Sequence, residues 1–381
     1  MRRNLIFVPA TALRATAKRL LQRVGLDRTR LFAGLALSAL ALSLCGASPA
    51  AAQSGYTFVN LGRLGGGDTT AYGVNKHGQV VGGHHLTNGT PFRAFVYLPA
   101  PTYGLPAGMN DLGLVGDGGS ARSINDVGEV VGAGFIWLPA ANYGLPAGMS
   151  DLNTVPEFAA NEFVGVDAYD INNSHVVTGS TTSLLDGTTH GFAFDLATRV
   201  FTDLGTATLG RSMNNNALPQ VVGNGNGAAN LYSFVDGLFT NLSPIVIAQG
   251  VNDAGAVAGT SAAVNGVRHA LYRSSSGVTQ DLGSLSSQSS FAYGINNGSA
   301  AYPSTVVVGS SYTRLGEERA IRWCVGGTKM EDLNSITTGL GTKTVLRHAQ
   351  AVGDGGHIVG YCTVPTKGGG FVFYPFLLFP Q

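Results

Sequence analysis

From about residue 55 onward the chain alternates apolar and polar positions in short runs, each broken within a few residues by Gly, Asn or Asp. A period of two with β-branched and aromatic residues and this punctuation predicts strands and tight hairpins rather than helices. The runs repeat in a fixed order. An apolar residue plus Asn precedes a polar turn at Val74-Asn75, Ile124-Asn125, Ile171-Asn172, Met213-Asn214, Val251-Asn252 and Ile295-Asn296, and in degenerate form at Val352-Gly353. A Val-Val-Gly strand follows, as at Val80-Val81-Gly82 and Ile358-Val359-Gly360, and then an alternating aromatic strand, as at 92–98 and 371–374. Each pattern occurs seven times. Successive anchors are 50, 47, 42, 38, 44 and 57 residues apart, so the unit is constant and its loops are not.

A fourth pattern, Asp/Asn-Leu, is also present seven times but out of phase. It stands at Asn60, Asp111, Asp151, Asp203, Asn241, Asp281 and Asp332, with one copy before the first full unit and none after the last. Each unit thus reads as four short strands, too few residues to bury both faces of a sheet alone. Stacking seven of them radially predicts an all-β, seven-bladed β-propeller. The phase shift predicts closure: the N-terminal strand 56–61 supplies the outermost strand that the seventh blade lacks, leaving no open edge at the seam. The repeated Asp residues predict turn caps on each blade.

Composition changes this picture little. Of 381 residues 55 are glycine and 15 proline, with 44% hydrophobic and only 12% charged, which excludes a disordered chain and lacks the period of a collagen. Charge is more informative. Residues 1–30 hold eight of the 23 Lys/Arg and one of the 22 Asp/Glu, followed by an apolar run at 31–44 and an Ala-rich exit. Basic start, apolar centre and small-residue exit predict a secretory signal peptide over 1–52, cleaved near Ala52/Gln53, and a single propeller domain over 53–381. The apolar run is shorter than the ~20 residues of a membrane span. The remaining domain, 15 basic against 21 acidic residues, is mildly acidic and has no Lys/Arg cluster, so nucleic acid is not an expected partner and no membrane span is expected after signal removal.

The ordered motifs Leu61-Gly62-Arg63-Leu64-Gly65-Gly66, Gly73-Val74-Asn75, Gly78-Gln79-Val80-Val81-Gly82 and Arg93-Ala94-Phe95 resemble the HAF-repeat family of extracellular bacterial proteins. The likeness covers 56–374, with His replaced by Arg at Arg93 and Arg319. It implies export and a propeller-like fold, and brings no catalytic residues, because the family has no established activity.

Propellers bind ligands where loops converge near the axis. With each first strand running from one face to the other, the loops after the second and fourth strands share a face. That face offers Asp68, His84, His85, Asp117, Asp186 and His348 as candidate ligand-binding residues, with Asp167 and His190 beside them. His84-His85 is the one adjacent histidine pair, but neighbouring strand residues point to opposite faces and no H-x-H or H-E-x-x-H spacing is present, so no metal site and no cofactor are expected. His190 and His269 start equivalent aromatic strands, which predicts a structural bond to a turn. Residues 98–112 recur at 138–152 with 12 of 15 identical, placing Tyr103 and Tyr143 on matching hairpins as candidate partner contacts. Cys324 and Cys362 are expected to stay unlinked, at strand ends on opposite faces.

No nucleophile elbow, phosphate loop or dinucleotide fingerprint occurs. The favoured expectation is a secreted or surface-associated binding scaffold for protein or glycan, held in a periplasm or outside the cell. The alternatives are an extracellular propeller hydrolase or lyase acting on sugars or lactones, and a structural envelope or matrix component.

Overall fold

The computed structural model describes residues 55–381 apart from 88, 117, 300, 301, 303 and 367; the expected export segment lies outside these. The chain forms a seven-bladed β-propeller of four-stranded antiparallel blades. In blade 1 the strands run outward from the axis as Thr69–Val74, Val80–His84, Arg93–Leu98 and Gly108–Gly113. The inner strands of blades 2 to 6 are Ala121–Ile124, Phe163–Ile171, Leu209–Met213, Ile245–Val251 and Ser290–Ile295.

Blade 7 takes Val345–Val352, Ile358–Pro365 and Phe371–Pro380 from the C-terminal end and Tyr56–Asn60 as its outermost full strand. Tyr56–Asn60 runs antiparallel to Phe376–Pro380, so the expected closure is present. A two-residue strand, Thr337–Thr338, adds parallel to its outer edge. Tyr56 is buried and its hydroxyl meets the Arg322 guanidinium of blade 6 at 3.3 Å, tying the seam to the preceding blade. The segment between blades 2 and 3 contains a short helix, Pro156–Ala160, whose Phe158 plugs against Phe192 and Phe194.

The core lies between blades. Phe135 and Trp137 of blade 2 pack on Val81 and Val96 of blade 1, and Phe192 and Phe194 of blade 3 on Ile136 and Leu138 of blade 2. This is why the third strand of each of these blades is apolar at successive positions: it needs apolar residues on both faces to meet two neighbours. Cys324 and Cys362 are free thiols in the cluster between blades 6 and 7.

Two tiers of polar bonds join the inner strands. The Nδ2 of each anchor asparagine donates to the backbone carbonyl of the next anchor: Asn75 to Asn125 at 3.0 Å, Asn125 to Asn172 and Asn172 to Asn214 at 3.1 Å, and Asn214, Asn252 and Asn296 to Asn252, Asn296 and Gly353 at 3.2 Å. The Oδ1 of each closes its own turn, as where Asn172 accepts from the Ser174 and Val176 N–H groups. One residue on, a second tier runs the same way. The N–H groups of Lys76, Asp126, Asn173, Asn215, Asp253 and Asn297 donate to the side chains of Asp126, Asn173, Asn215, Asp253, Asn297 and Asp354. Both ladders stop at blade 7, where Gly353 has no amide to offer blade 1. A Cβ there would sit 2.9 Å from the Asn75 carbonyl, so this junction is too close for an anchor side chain.

The fourth pattern has the capping role its repetition suggests. Asn60, Asp111, Asp151, Asp203, Asn241, Asp281 and Asp332 each accept, through Oδ1, the N–H of the residue two positions on, at 2.7–2.9 Å.

Candidate functional site

Three residues before each anchor, every inner strand carries a β-bulge. The register slips between Ala71 and Gly73, Ala121 and Ser123, Ala168 and Asp170, Gly210 and Ser212, Ala248 and Gly250, Ala292 and Gly294, and Ala349 and Ala351. An extra residue in one strand of a pair is left out of the ladder and its side chain is re-aimed. Here the extra residues are Tyr72, Arg122, Tyr169, Arg211, Gln249, Tyr293 and Gln350, one per blade, and all seven line an axial cavity of about 520 Å³. That volume falls in the usual range of small-molecule sites, ~300–1,000 Å³.

The bulge explains the Val-Val-Gly motif. A Cβ on Gly82, Gly132, Gly179, Gly223, Gly259, Gly309 or Gly360 would lie 1.8–2.4 Å from the carbonyl oxygen of the inner-strand residue two before the bulge. The pushed-out inner strand covers the space a side chain would need, so only glycine permits the approach. The residue just before each bulge is equally constrained: Ala71, Ala121, Ala168, Ala248, Ala292 and Ala349 are fully buried alanines, with Gly210 in blade 4.

Within the ring the side chains are organised unevenly. The Arg122 and Arg211 guanidinium carbons lie 4.2 and 4.3 Å from the Tyr169 ring centroid, reaching it from the blades on either side, a cation–π arrangement. Arg122 Nη1 also stands 2.6 Å from Asp167 Oδ1 and donates to the Ala168 carbonyl. Burial raises the phenol of Tyr72, and that of Tyr293 to about 12, so both remain neutral hydroxyls at ordinary pH. Asp170, next to the bulge, accepts from Ser123 Oγ at 2.6 Å, Met213 N–H at 2.8 Å and Ile171 N–H at 2.9 Å, clasping blades 2, 3 and 4. Burial pushes its carboxyl up to about 6, against the pull of those hydrogen bonds. At the anchor end, Lys76, Asp126, Asp253 and Asp354 rim the cavity, with Lys76 Nζ 3.0 Å from Asp126. Burial and the neighbouring Asp354 charge raise the Asp253 carboxyl.

The residues singled out from the sequence lie elsewhere, and none of those described lines this cavity. His84 is buried, with Nδ1 3.0 Å from the Leu64 carbonyl and Nε2 3.5 Å from Asp111. His85 turns the other way, its Nδ1 2.6 Å from the Thr90 carbonyl and its ring against Phe92. Asp68 is exposed, and its carbonyl accepts the His85 N–H. Asp117 lies outside the described residues. Asp186 caps its own turn through Thr188, with His190 Nε2 3.9 Å away. His190 and His269 each bond the turn-capping Asp of their own blade, Asp203 and Asp281, at 2.9 and 2.8 Å, the structural role that their equivalence predicts. His348 is sandwiched between Tyr293 and Tyr361, and burial lowers its imidazole, leaving it neutral behind the ring.

Tyr103 and Tyr143 do occupy matching positions, both with φ near +55°. Their hydroxyls point inward, Tyr103 to Gln79 Oε1 at 3.1 Å and Tyr143 to Glu129 Oε1 at 2.8 Å. Each ring covers the next blade's hairpin: Tyr103 lies over Gly128, where a Cβ would be 2.3 Å away, and Tyr143 over His175. Glu129 in turn accepts from Asn125 and sits 2.9 Å from His175. The duplicated hairpins brace blade junctions. Sequence patterning does not single out the bulge ring, although the seven aligned copies carry a signal: one large, changing residue that follows Ala or Gly and, in six blades of seven, precedes Gly, Ser or Ala.

No protein-family model and no curated protein sequence matches the chain. Solved structures similar to it include a luciferin-regenerating enzyme (TM-score 0.40, 9% identity, 86% of this chain and 96% of that one). TolB from Acinetobacter baumannii (0.35, 12%, 84% and 65%) and the β-propeller domain of the Trilobed protease from Pyrococcus furiosus (0.35, 8%, 55% and 67%) are also similar. Likeness at this level carries no activity across. What the chain's own sheets and cavity define is a seven-bladed propeller with a bulge-lined axial channel.

Proposed function

We propose that the protein is an exported, secreted or surface-associated binding protein that takes its ligand, a protein segment or a glycan, into the axial channel. The observation that carries this is the bulge ring. Seven equivalent positions, each projected toward the axis by a bulge and a sacrificed side chain on the neighbouring strand, hold three different residue types, tyrosine, arginine and glutamine, rather than one repeated residue. A structural role at equivalent positions favours one residue type, as at the anchors; recognition needs different groups at different points. The basic-then-apolar N-terminus and the resemblance to the HAF-repeat family support export, which N-terminal sequencing of the mature protein tests: a start near Gln53 is expected, and an intact Met1 contradicts it.

An enzymatic reading has in its favour the raised carboxyls of Asp170 at the cavity wall and Asp253 at its rim. Glycoside hydrolysis by a carboxylate pair needs a second one across the cleft. Among the described residues the other cavity carboxylates are rim groups held by backbone N–H bonds of the adjoining blade. Binding is therefore the better account. A glycan and peptide array read with the wild type and with an Arg211→Ala/Gln249→Ala/Gln350→Ala variant tests it. Signals lost in the variant support the channel; signals unchanged in the variant, or lost only on exchanging strand-connecting loops such as 184–188, contradict it.

A further inference from the structure

Resting on the channel as the binding site, we propose that Arg211 receives a carboxylate, and that the ligand is an acidic saccharide with a terminal uronate. The molecule contains its own comparison. Arg122 and Arg211 occupy the same position in blades 2 and 4 and lean on the same Tyr169 ring. Arg122 is matched by a carboxylate from the next blade: Asp167, five residues before the anchor Asn172, at 2.6 Å. The equivalent residue one blade on from Arg211, five before Asn252, is Ile247. The registers agree, Asp167 and Ala168 pairing with Ser180 and Gly179 as Ile247 and Ala248 pair with Thr260 and Gly259. Blade 3 thus gives the first guanidinium a carboxylate where blade 5 gives the second an alkyl group.

Arg211 is exposed to the cavity and makes no hydrogen bond or ion pair among the described residues; its contact is the face of Tyr169. That contact holds the guanidinium over the ring and leaves its N–H donors without a protein partner among the described residues. A planar fork of donors matches a carboxylate bidentately. The ligand's carboxylate takes the place that Asp167 fills beside Arg122.

The rest of the ring selects the body of the ligand. Gln249 follows Arg211 around the axis, then Tyr293, Gln350 and Tyr72. Carboxamides, both donor and acceptor, suit vicinal hydroxyls, and phenol rings offer flat apolar faces with a polar tip. Of the aliphatic residues that also line the cavity, Ile124, Ile171, Met213, Val251 and Val352 are buried and Val74 and Ile295 are half-buried, so the more accessible groups are those of the polar ring. Asp126, Asp253 and Asp354 at the anchor-end rim repel a long polyanion there. One carboxylate at Arg211, not a row of them, fits this charge pattern.

Calorimetric titration of the exported chain with cellobiouronate, cellobiose and triglycine tests the proposal. The two sugars differ at a single position, a carboxylate in place of a hydroxymethyl group. The wild type is expected to bind cellobiouronate about tenfold tighter than cellobiose, the scale of one charged hydrogen-bonded pair. Arg211→Gln should erase that difference with Tm unchanged, and Arg211→Lys should restore only part of it. Equal affinity for the two sugars, or a preference that survives Arg211→Gln, overturns the carboxylate assignment while the channel reading stands on whatever cellobiose binding remains. Triglycine binding as tightly as cellobiouronate and lost in Arg211→Gln overturns the saccharide assignment in favour of a peptide C-terminus. Binding of none of the three overturns the proposal, and the array with the triple channel variant then decides the channel reading separately.

Discussion

Two rings of residues lie three positions apart on the same seven strands, and they obey opposite rules. The anchor ring is asparagine in six blades, buried, and spends its side chains on the next blade and on its own turn. The bulge ring is Tyr, Arg, Tyr, Arg, Gln, Tyr and Gln, all lining the cavity, half-buried except for the exposed Arg211. Repetition at an equivalent position marks what holds the blades together. Variation at an equivalent position, where the backbone is built identically each time, marks what the propeller presents.

The sharpest separation of the two should come from Asn172→Ala. It removes a buried donor to the Asn214 carbonyl and the acceptor of two N–H groups, which at roughly 1 kcal/mol per bond costs about 3 kcal/mol. Chemical denaturation should show that loss with ligand affinity unchanged; an intact stability would mean that the anchor ladder does not hold the blades.

Gly179→Ala should blur the two rings together. The new methyl would lie 2.1 Å from the Asp167 carbonyl, so the bulge must shift, costing about 2 kcal/mol and misplacing Tyr169 and Asp167. Loss of stability with no loss of ligand affinity would show that the bulge geometry is irrelevant to binding.

Asp170 sits between the rings and gives a pH signature. Its folded carboxyl is raised from 3.8 to about 6, so protonated Asp170 is favoured in the fold. That contribution is full below pH 3.8 and fades as pH rises through 6. Thermal melts from pH 4 to 7 should show a downward slope attributable to this group, flattened in Asp170→Asn; an identical slope in the variant would reject the assignment. Smallest of all on stability, Arg211→Gln should stay within about 0.5 kcal/mol of the wild type, as expected for a solvent-facing side chain with no protein ion partner. A larger loss would make Arg211 part of the scaffold.

Much of the architecture was legible in the chain. Seven ordered copies gave the blade number, and the displaced Asp/Asn-Leu motif gave the closure through Tyr56–Asn60, because a missing strand and a surplus strand are visible in the pattern. The repeated Asp residues were legible as caps for the same reason. The channel was not. A bulge adds one residue without disturbing the alternation on either side, so the spacing does not show that Tyr72 or Arg211 leaves the ladder and turns to the axis; only the residue types of the aligned copies mark the position. Attention to loop histidines such as His84 and His85 followed from where propellers bind in general, and here those side chains are committed to nearby backbone carbonyls and an aromatic ring. Tyr103 and Tyr143 form the matched pair that the duplicated hairpins predict. Their inward turn depends on Gly128 and His175 of the following hairpins, which sequence alone does not place beneath them.

A crystal structure of the protein with cellobiouronate tests the central claim most directly. The account predicts the sugar in the axial cavity with its carboxylate against the Arg211 guanidinium and Gln249 beside it. A ligand bound on the outer loops or blade edges, with the bulge ring untouched, would contradict it.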